Sequence, residues 1–338
     1  MIYSSIIVVT ITISQEAMVK RGGVTMKWLS SYHQDLELAF TEAASILEAL
    51  PVTHRQPALE FLDKFHPLKE ERSKNYICYL LPLWMHELTG VPLHKCREFA
   101  VANIFGMLYY QIIDAVMDDR DQASTSMLPL AEFIHLEFIH KYSHSFPATS
   151  SLWDYYRKYV AEWAQAVSTE NSSDFFYENP VRMGHKASPV KLSIIAPLLL
   201  SHREELIPEL EEAVDTVLIT LQMLDDWQDW EEDLLEGNYN SLVSMVQTEY
   251  EIPKDRRPTS EEINQAIYVR GLLSTYANRA NILHIKLSKI QTIVPHLYEF
   301  HSFLHNNIIH GAQHHETEKN LMLQGGLNYY LSKIPKNS

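Results

Sequence analysis

The chain has 338 residues, 46% of them hydrophobic and 21% charged, which is enough for one large or two small domains with a sizeable core. A formal net charge of −15 argues against a nucleic-acid partner, because phosphate binding needs clustered Lys and Arg. Ten glycines and two cysteines argue against glycine-rich nucleotide loops, a disulfide framework and a cysteine metal site. Cys78 and Cys96 lie in apolar runs and read as small core residues, which suits a reducing, cytoplasmic setting.

Residues 1–25 differ in character from the rest of the chain. Ile2 to Ile13 is a short β-branched run without the basic start and small-residue cleavage site of a signal peptide, and it is too short to span a bilayer. It reads as a disordered extension or as sequence upstream of the true start. The domain is expected over 26–338, without a stable membrane span.

From Trp28 onward the apolar period is helical. Leu36, Ala39, Phe40, Ala43 and Leu47 mark one helix, closed by Pro51. Leu59, Phe61 and Leu62 mark a short one, and 76–88 is a continuous apolar run ending at Gly90. The stretch 96–121 is apolar on most faces (Phe99, Ala102, Ile104, Phe105, Leu108, Ile112), the mark of a buried helix. Further helices are expected near 128–142, 152–167, 189–202, 207–235, 260–287, 294–310 and 317–331. Turn signals separate them at 143–151, 168–173, 237–240 and 253–258. The fold class predicted is all-α, one helical domain.

Two helix ends carry chemistry. In Gln222-Met-Leu-Asp225-Asp226-Trp-Gln-Asp229-Trp-Glu-Glu-Asp233, Gln222, Asp226, Asp229 and Asp233 step by four, three and four, and Asp225 joins the edge of the stripe. Like charges at this spacing weaken a helix by a few tenths of a kcal/mol per pair, roughly. A hard divalent cation offsets that cost, and Mg²⁺ is usually held by one or two carboxylates plus substrate phosphates. A solvated acidic face is the plain alternative, and it suits Glu231, Glu232 and Glu236.

The second end is Asp114, Asp118, Asp119 and Asp121, with Tyr110 and Gln111 one turn earlier. Carboxylates at a helix C-terminus oppose the dipole. Asp114 is flanked by Ile112, Ile113, Val116 and Met117, where a surface role is a poor explanation. Two such ends are expected to face a common cavity and hold metal between them.

These motifs resemble those of the class I isoprenoid synthases, the superfamily of trans-prenyl diphosphate synthases, phytoene and squalene synthases, and terpene cyclases. Gln222 to Asp233 is similar to the second prenyl-synthase motif at every acidic position, and Glu236-Gly237-Asn-Tyr-Asn-Ser-Leu is similar to the glycine turn after it. Asp114-Ala-Val-Met-Asp118 is similar to the first motif, with Ala115 where prenyl synthases keep Asp. The resemblance spans about 30–310 in helix order and implies a helical bundle around an apolar cavity. It implies Mg²⁺, three ions by the superfamily's habit, on Asp114, Asp118, Asp119, Asp225, Asp226, Asp229 and Asp233. It implies a prenyl diphosphate substrate met by Arg182, Lys186, Gln222, Tyr110 and Gln111. Asp114, Asp118, Asp225 and Asp229 are the expected catalytic set, and a homodimer is the superfamily's usual state.

Two departures point away from chain elongation. Gln122-Ala-Ser-Thr-Ser stands where elongating enzymes carry Arg-Arg-Gly, and Arg72-Ser-Lys74-Asn-Tyr replaces their upstream basic segment. A second diphosphate then has no seat, which favours ionisation with cyclisation or elimination. A prenyltransferase and an inactive helical partner subunit are the alternatives. Of the basic residues in 181–191, Arg182 and Lys186 share a face and are preferred to Lys191. The histidines His301, His305, His310, His314 and His315 form a weaker transition-metal alternative.

Overall fold

A computed structural model describes residues 26–69, 75–118, 125–170, 173–253 and 255–333, without the side chains of 118, 322, 324 and 326–333. The 1–25 extension, Arg72, Lys74 and Asp119 therefore lie outside the described residues. Those described form α-helices, short 3₁₀ turns and connecting loops, with no strand among them. The all-α expectation holds.

The helices are α1 (Lys27–Ser30), α2 (His33–Glu48), α3 (Val52–Lys64), α4 (Tyr76–Thr89), α5 (Leu93–Asp118), α6 (Leu128–Ser143), α7 (Leu152–Thr169) and α8 (Phe175–Glu178). They continue as α9 (Val181–His185), α10 (Leu192–Leu200), α11 (Ile207–Gln228), α12 (Trp230–Glu236), α13 (Ser241–Glu249), α14 (Ser260–Tyr268), α15 (Leu272–Lys286) and α16 (Pro295–Lys333). One buried apolar cluster joins residues from Trp28 to Ala312.

Helix α5 is the buried helix that its composition predicts. Phe99, Ala102, Ile104, Phe105, Leu108 and Ile112 are all buried, and α2, α4 and α6 pack around it. The stretch Leu93–Met117 has the length and hydropathy of a membrane span, but 78% of its apolar window is buried inside the protein. Helix α11 packs against α9, α10, α13 and α16.

Three helix boundaries differ from the periodic reading. The 260–287 segment is two helices, because Gly271 takes a left-handed turn (φ 74°) between α14 and α15. The 207–235 segment breaks at Asp229, which separates α11 from α12. The expected pair 294–310 and 317–331 is instead the single 39-residue helix α16. Gly311, inside it, costs a helix about 1 kcal/mol relative to Ala. Packing explains its presence, since a Cβ there would lie 2.2 Å from Cη2 of Trp227.

The two cysteines are buried as expected. Desolvation pushes both the Cys78 and the Cys96 thiols up to about 12, so neither is a thiolate at neutral pH.

Candidate active site

The backbone bonds at the end of α11 keep the acidic stripe together across the break. The Asp229 N–H donates to the Asp225 carbonyl at 3.0 Å, Asp233 N–H to Asp229 at 3.0 Å, and Gly237 N–H to Asp233 at 3.0 Å. The i→i+4 ladder thus runs through the kink, and Asp225, Asp229 and Asp233 stay on one face. Asp225 and Asp233 are buried, while Asp229 reaches solvent. Gly237, in the left-handed region at φ 86°, then turns the chain back.

Asp226 has a different role from its neighbours. Gln222 Nε2 donates to its Oδ1 at 2.7 Å and the Ser241 N–H donates to its Oδ2 at 2.8 Å. Both oxygens are engaged by the protein. The Asp225 side chain receives a long 3.4 Å bond on Oδ2 from Gln222, and its buried Oδ1 has no hydrogen-bond partner. A buried carboxylate oxygen without a partner costs free energy unless a cation or donor reaches it.

Asn240 fixes this arrangement, and the sequence motifs include it only as part of the glycine turn. Its Nδ2 donates to the Asp226 carbonyl at 2.7 Å and to Asp233 Oδ2 at 2.8 Å. Its Oδ1 accepts from the N–H groups of Leu242 and Val243 and so caps α13. The available signal was an Asn directly before an apolar helical run. Tyr276 adds a second brace, donating from its hydroxyl to the Met223 carbonyl at 2.7 Å.

The electrostatics follow from burial and crowding. Burial raises Asp225 well above the usual carboxylate range, with Asp229, Asp226 and Asp233 adding and Lys186 opposing. Asp226 is pushed up to about 6, by burial first, against the pull of Lys186. Asp229 is also pushed up to about 6, by burial and then by Asp233 and Glu232.

Of the basic candidates, the structure brings Lys186 to the stripe. Lys186 is 2% exposed, pairs with Glu170, and feels the fields of Asp226 and Asp233. Arg182 lies one turn away with its guanidinium 5.6 Å from the Phe175 ring centroid. Lys191 is consumed elsewhere. Its Nζ donates to Glu162 at 2.7 Å and Asp215 at 2.9 Å, over the Tyr159 ring.

On α5, Asp114 is 3% exposed, and the side chain of Asp118 lies outside the described residues, as Asp119 does. One turn earlier, Tyr110 and Gln111 line an apolar cavity of about 40 Å³ with Ile77, Met107, Phe138 and Val190. The cavity's far wall includes Ala187, the residue after Lys186. Its volume is far below the 300–1,000 Å³ or so of ordinary ligand pockets, so a substrate chain must displace side chains to enter. A wider groove of about 630 Å³ between α6 and α7 is lined by Ile139, Phe146, Trp153, Tyr156 and Val160, with Arg157 at its edge and no carboxylate in its lining. Tyr79 and Trp84 belong to the buried core: Tyr79 donates to the Phe65 carbonyl and Trp84 to the Trp28 carbonyl.

Among the described residues, no three His, Cys, Asp or Glu side chains converge as a closed metal site, neither in the acidic stripe nor among the histidines. A Mg²⁺ ion held by one or two carboxylates and substrate phosphates needs no such closed set. The orphaned Asp225 Oδ1 and the all-oxygen character of Asp225, Asp229 and Asp233 fit a hard cation.

No protein-family profile, curated protein or solved structure matches the chain.

Proposed function

We propose that this chain is a Mg²⁺-dependent class I terpene synthase, which ionises a linear prenyl diphosphate and cyclises it or eliminates to a hydrocarbon or alcohol. The observation that carries the reading is the buried, unpartnered Asp225 Oδ1, on one face with Asp229 and Asp233. Asp225, Asp229 and Asp233 would hold the cations, with Asp114 and Asp118 assigned as further ligands. When bound, Mg²⁺ supplies charge neutralisation and polarisation of the diphosphate oxygens.

The chain's own residues do the rest. Lys186, and Arg182 beside it, place positive charge where the leaving diphosphate gathers its negative charge. Asn240 fixes the Asp233 carboxylate, and Gln222 fixes Asp226 and reaches Asp225. Tyr110, Met107 and Phe138 keep water from the apolar end, where an allylic cation would otherwise be quenched. The aromatic face of Tyr110 is available to that cation.

The test is incubation of the protein with C10, C15, C20 and C25 prenyl diphosphates and Mg²⁺, followed by mass spectrometry of hexane extracts. A hydrocarbon or alcohol product that disappears in Asp225→Asn is expected. A longer diphosphate, formed when isopentenyl diphosphate is added, makes the protein a prenyltransferase. No product and no Mg²⁺-diphosphate binding would leave a helical partner subunit.

A further inference from the structure

Three side chains form a hydrogen-bonded line from the apolar cavity toward the surface. Tyr110, on α5, lines the cavity, and its hydroxyl is hydrogen-bonded to that of Tyr156, on α7. Tyr156 Oη in turn lies 3.0 Å from Nε2 of His135, on α6. Tyr110 is buried, whereas Tyr156 and His135 are half-buried, so the line leads from the interior to solvent.

Aromatic packing holds each member in place. The Tyr110 ring meets Tyr109 and Trp163 edge-on, with centroids 5.1 and 5.0 Å away. His135 stacks on Tyr109 at 4.3 Å with the planes 16° apart, and Tyr156 packs against Phe138 at 5.3 Å.

Each hydroxyl has one proton to give. Burial raises both tyrosines above all; the bond between them adds to the rise at Tyr110 and opposes it at Tyr156, as fits a donor and its acceptor. Tyr156 then sends its own proton to His135 Nε2, the bare nitrogen of the ring. Burial lowers His135, so the ring is neutral near pH 7, while Glu132, one turn earlier on α6, favours the imidazolium once it forms.

We propose that Tyr110, Tyr156 and His135 carry away the proton that an elimination releases, an assignment that rests on the terpene synthase reading. In that step the electron pair of a C–H bond beside the carbocation becomes the new C=C bond. The proton passes to Tyr110 Oη, the proton of Tyr110 to Tyr156 Oη, and the proton of Tyr156 to His135 Nε2. One alkene and one imidazolium result, both tyrosines stay neutral, and the imidazolium gives its proton to solvent. No charge is left in the apolar cavity, where an unpaired one would be costly. Tyr110 is the group that meets the substrate; Tyr156 and His135 act through it.

The test measures alkene formed per diphosphate released, with Mg²⁺ and whichever of the C10, C15, C20 and C25 prenyl diphosphates the wild-type chain turns over. Tyr156→Phe and His135→Phe keep a ring in place, and neither residue lines the cavity. In both variants the ratio is expected to fall about 10²-fold, the low end for a positioned proton acceptor, with alcohol formed in place of alkene. A purely structural role would lower alkene and diphosphate release together; an unchanged ratio therefore overturns the proposal. A wild-type chain that releases diphosphate but forms no alkene overturns it too and leaves the synthase reading standing, whereas no diphosphate release overturns both. Should both variants unfold, ¹⁵N-histidine NMR of the whole wild-type chain at about pH 7.5, without metal or substrate, reads the His135 tautomer, assigned through its contact with Tyr109. A bare Nε2 is expected, and a proton on it overturns the proposal.

Discussion

Two buried charge clusters sit within a few turns of each other and are built on opposite principles. Around Lys191, the ammonium meets Glu162 and Asp215, Ser188 donates to Glu162, and Lys158 and Tyr159 both donate to Glu211. Each carboxylate there has a donor. At the end of α11, Asp225, Asp226 and Asp233 feel the charge of Lys186, which is itself paired with Glu170, and Asp225 Oδ1 has no partner. The first cluster is complete as the chain folds. The second leaves a buried carboxylate oxygen without a donor, and the proposed cation site rests on that difference.

The contrast is broken most forcefully at the lysines. Lys191→Met leaves Glu162 and Asp215 buried without their cation and is expected to cost about 3–5 kcal/mol in denaturant unfolding, with no rescue by Mg²⁺. Lys186→Met also destabilises the metal-free protein, but Mg²⁺ with diphosphate is expected to restore part of the loss. Equal behaviour of the two variants would erase the distinction.

Within the acidic cluster, the two adjacent aspartates should move in opposite directions. Asp225→Asn removes a buried, unpartnered charge and is expected to stabilise the metal-free protein by roughly 1–3 kcal/mol while abolishing its Mg²⁺-dependent rise in melting temperature. Asp226→Asn cannot accept from both Gln222 and Ser241 and is expected to destabilise by about 1–2 kcal/mol. Thermal melts with and without Mg²⁺ read both changes.

The smallest effect is one of pH. Asp226 and Asp229 are pushed up to about 6 in the folded chain, above an unfolded value near 3.8. The folded state therefore holds more protons, and the stabilisation present at low pH is lost as pH rises through about 4 to 6. A divalent cation opposes that loss, so the Mg²⁺-induced shift in melting temperature should be small at about pH 5 and larger at about pH 7.5. A shift that shrank as pH rose would count against a carboxylate site.

The helix-rich architecture was legible because α2, α4 and α5 carry unbroken apolar periods. The errors have local causes. Periodicity alone runs through Gly271 and Asp229, where a left-handed glycine and a kink end helices without changing the apolar pattern. It also stops at the polar stretch after His310, where α16 continues because Trp227 packs against Gly311. In the site, spacing put Asp226 in one stripe with Asp229 and Asp233 and left Asp225 at its edge, whereas the hydrogen bonds set Asp226 apart and leave Asp225 open. That difference depends on Ser241 and Asn240, brought back by the turn at Gly237. Nor did spacing reveal that Lys191 is spent, since Glu162 and Asp215 come from α7 and α11.

The fit of Trp227 against Gly311 has a mechanical consequence. The indole occupies the one gap that a missing side chain leaves at that point, so Gly311 acts as an index mark for the long helix against its neighbour. A slip by one residue in either direction would press His310 or Ala312 against the ring. Remodelling of α16 beyond this mark can lengthen or shorten it, but sliding it along α11 is blocked.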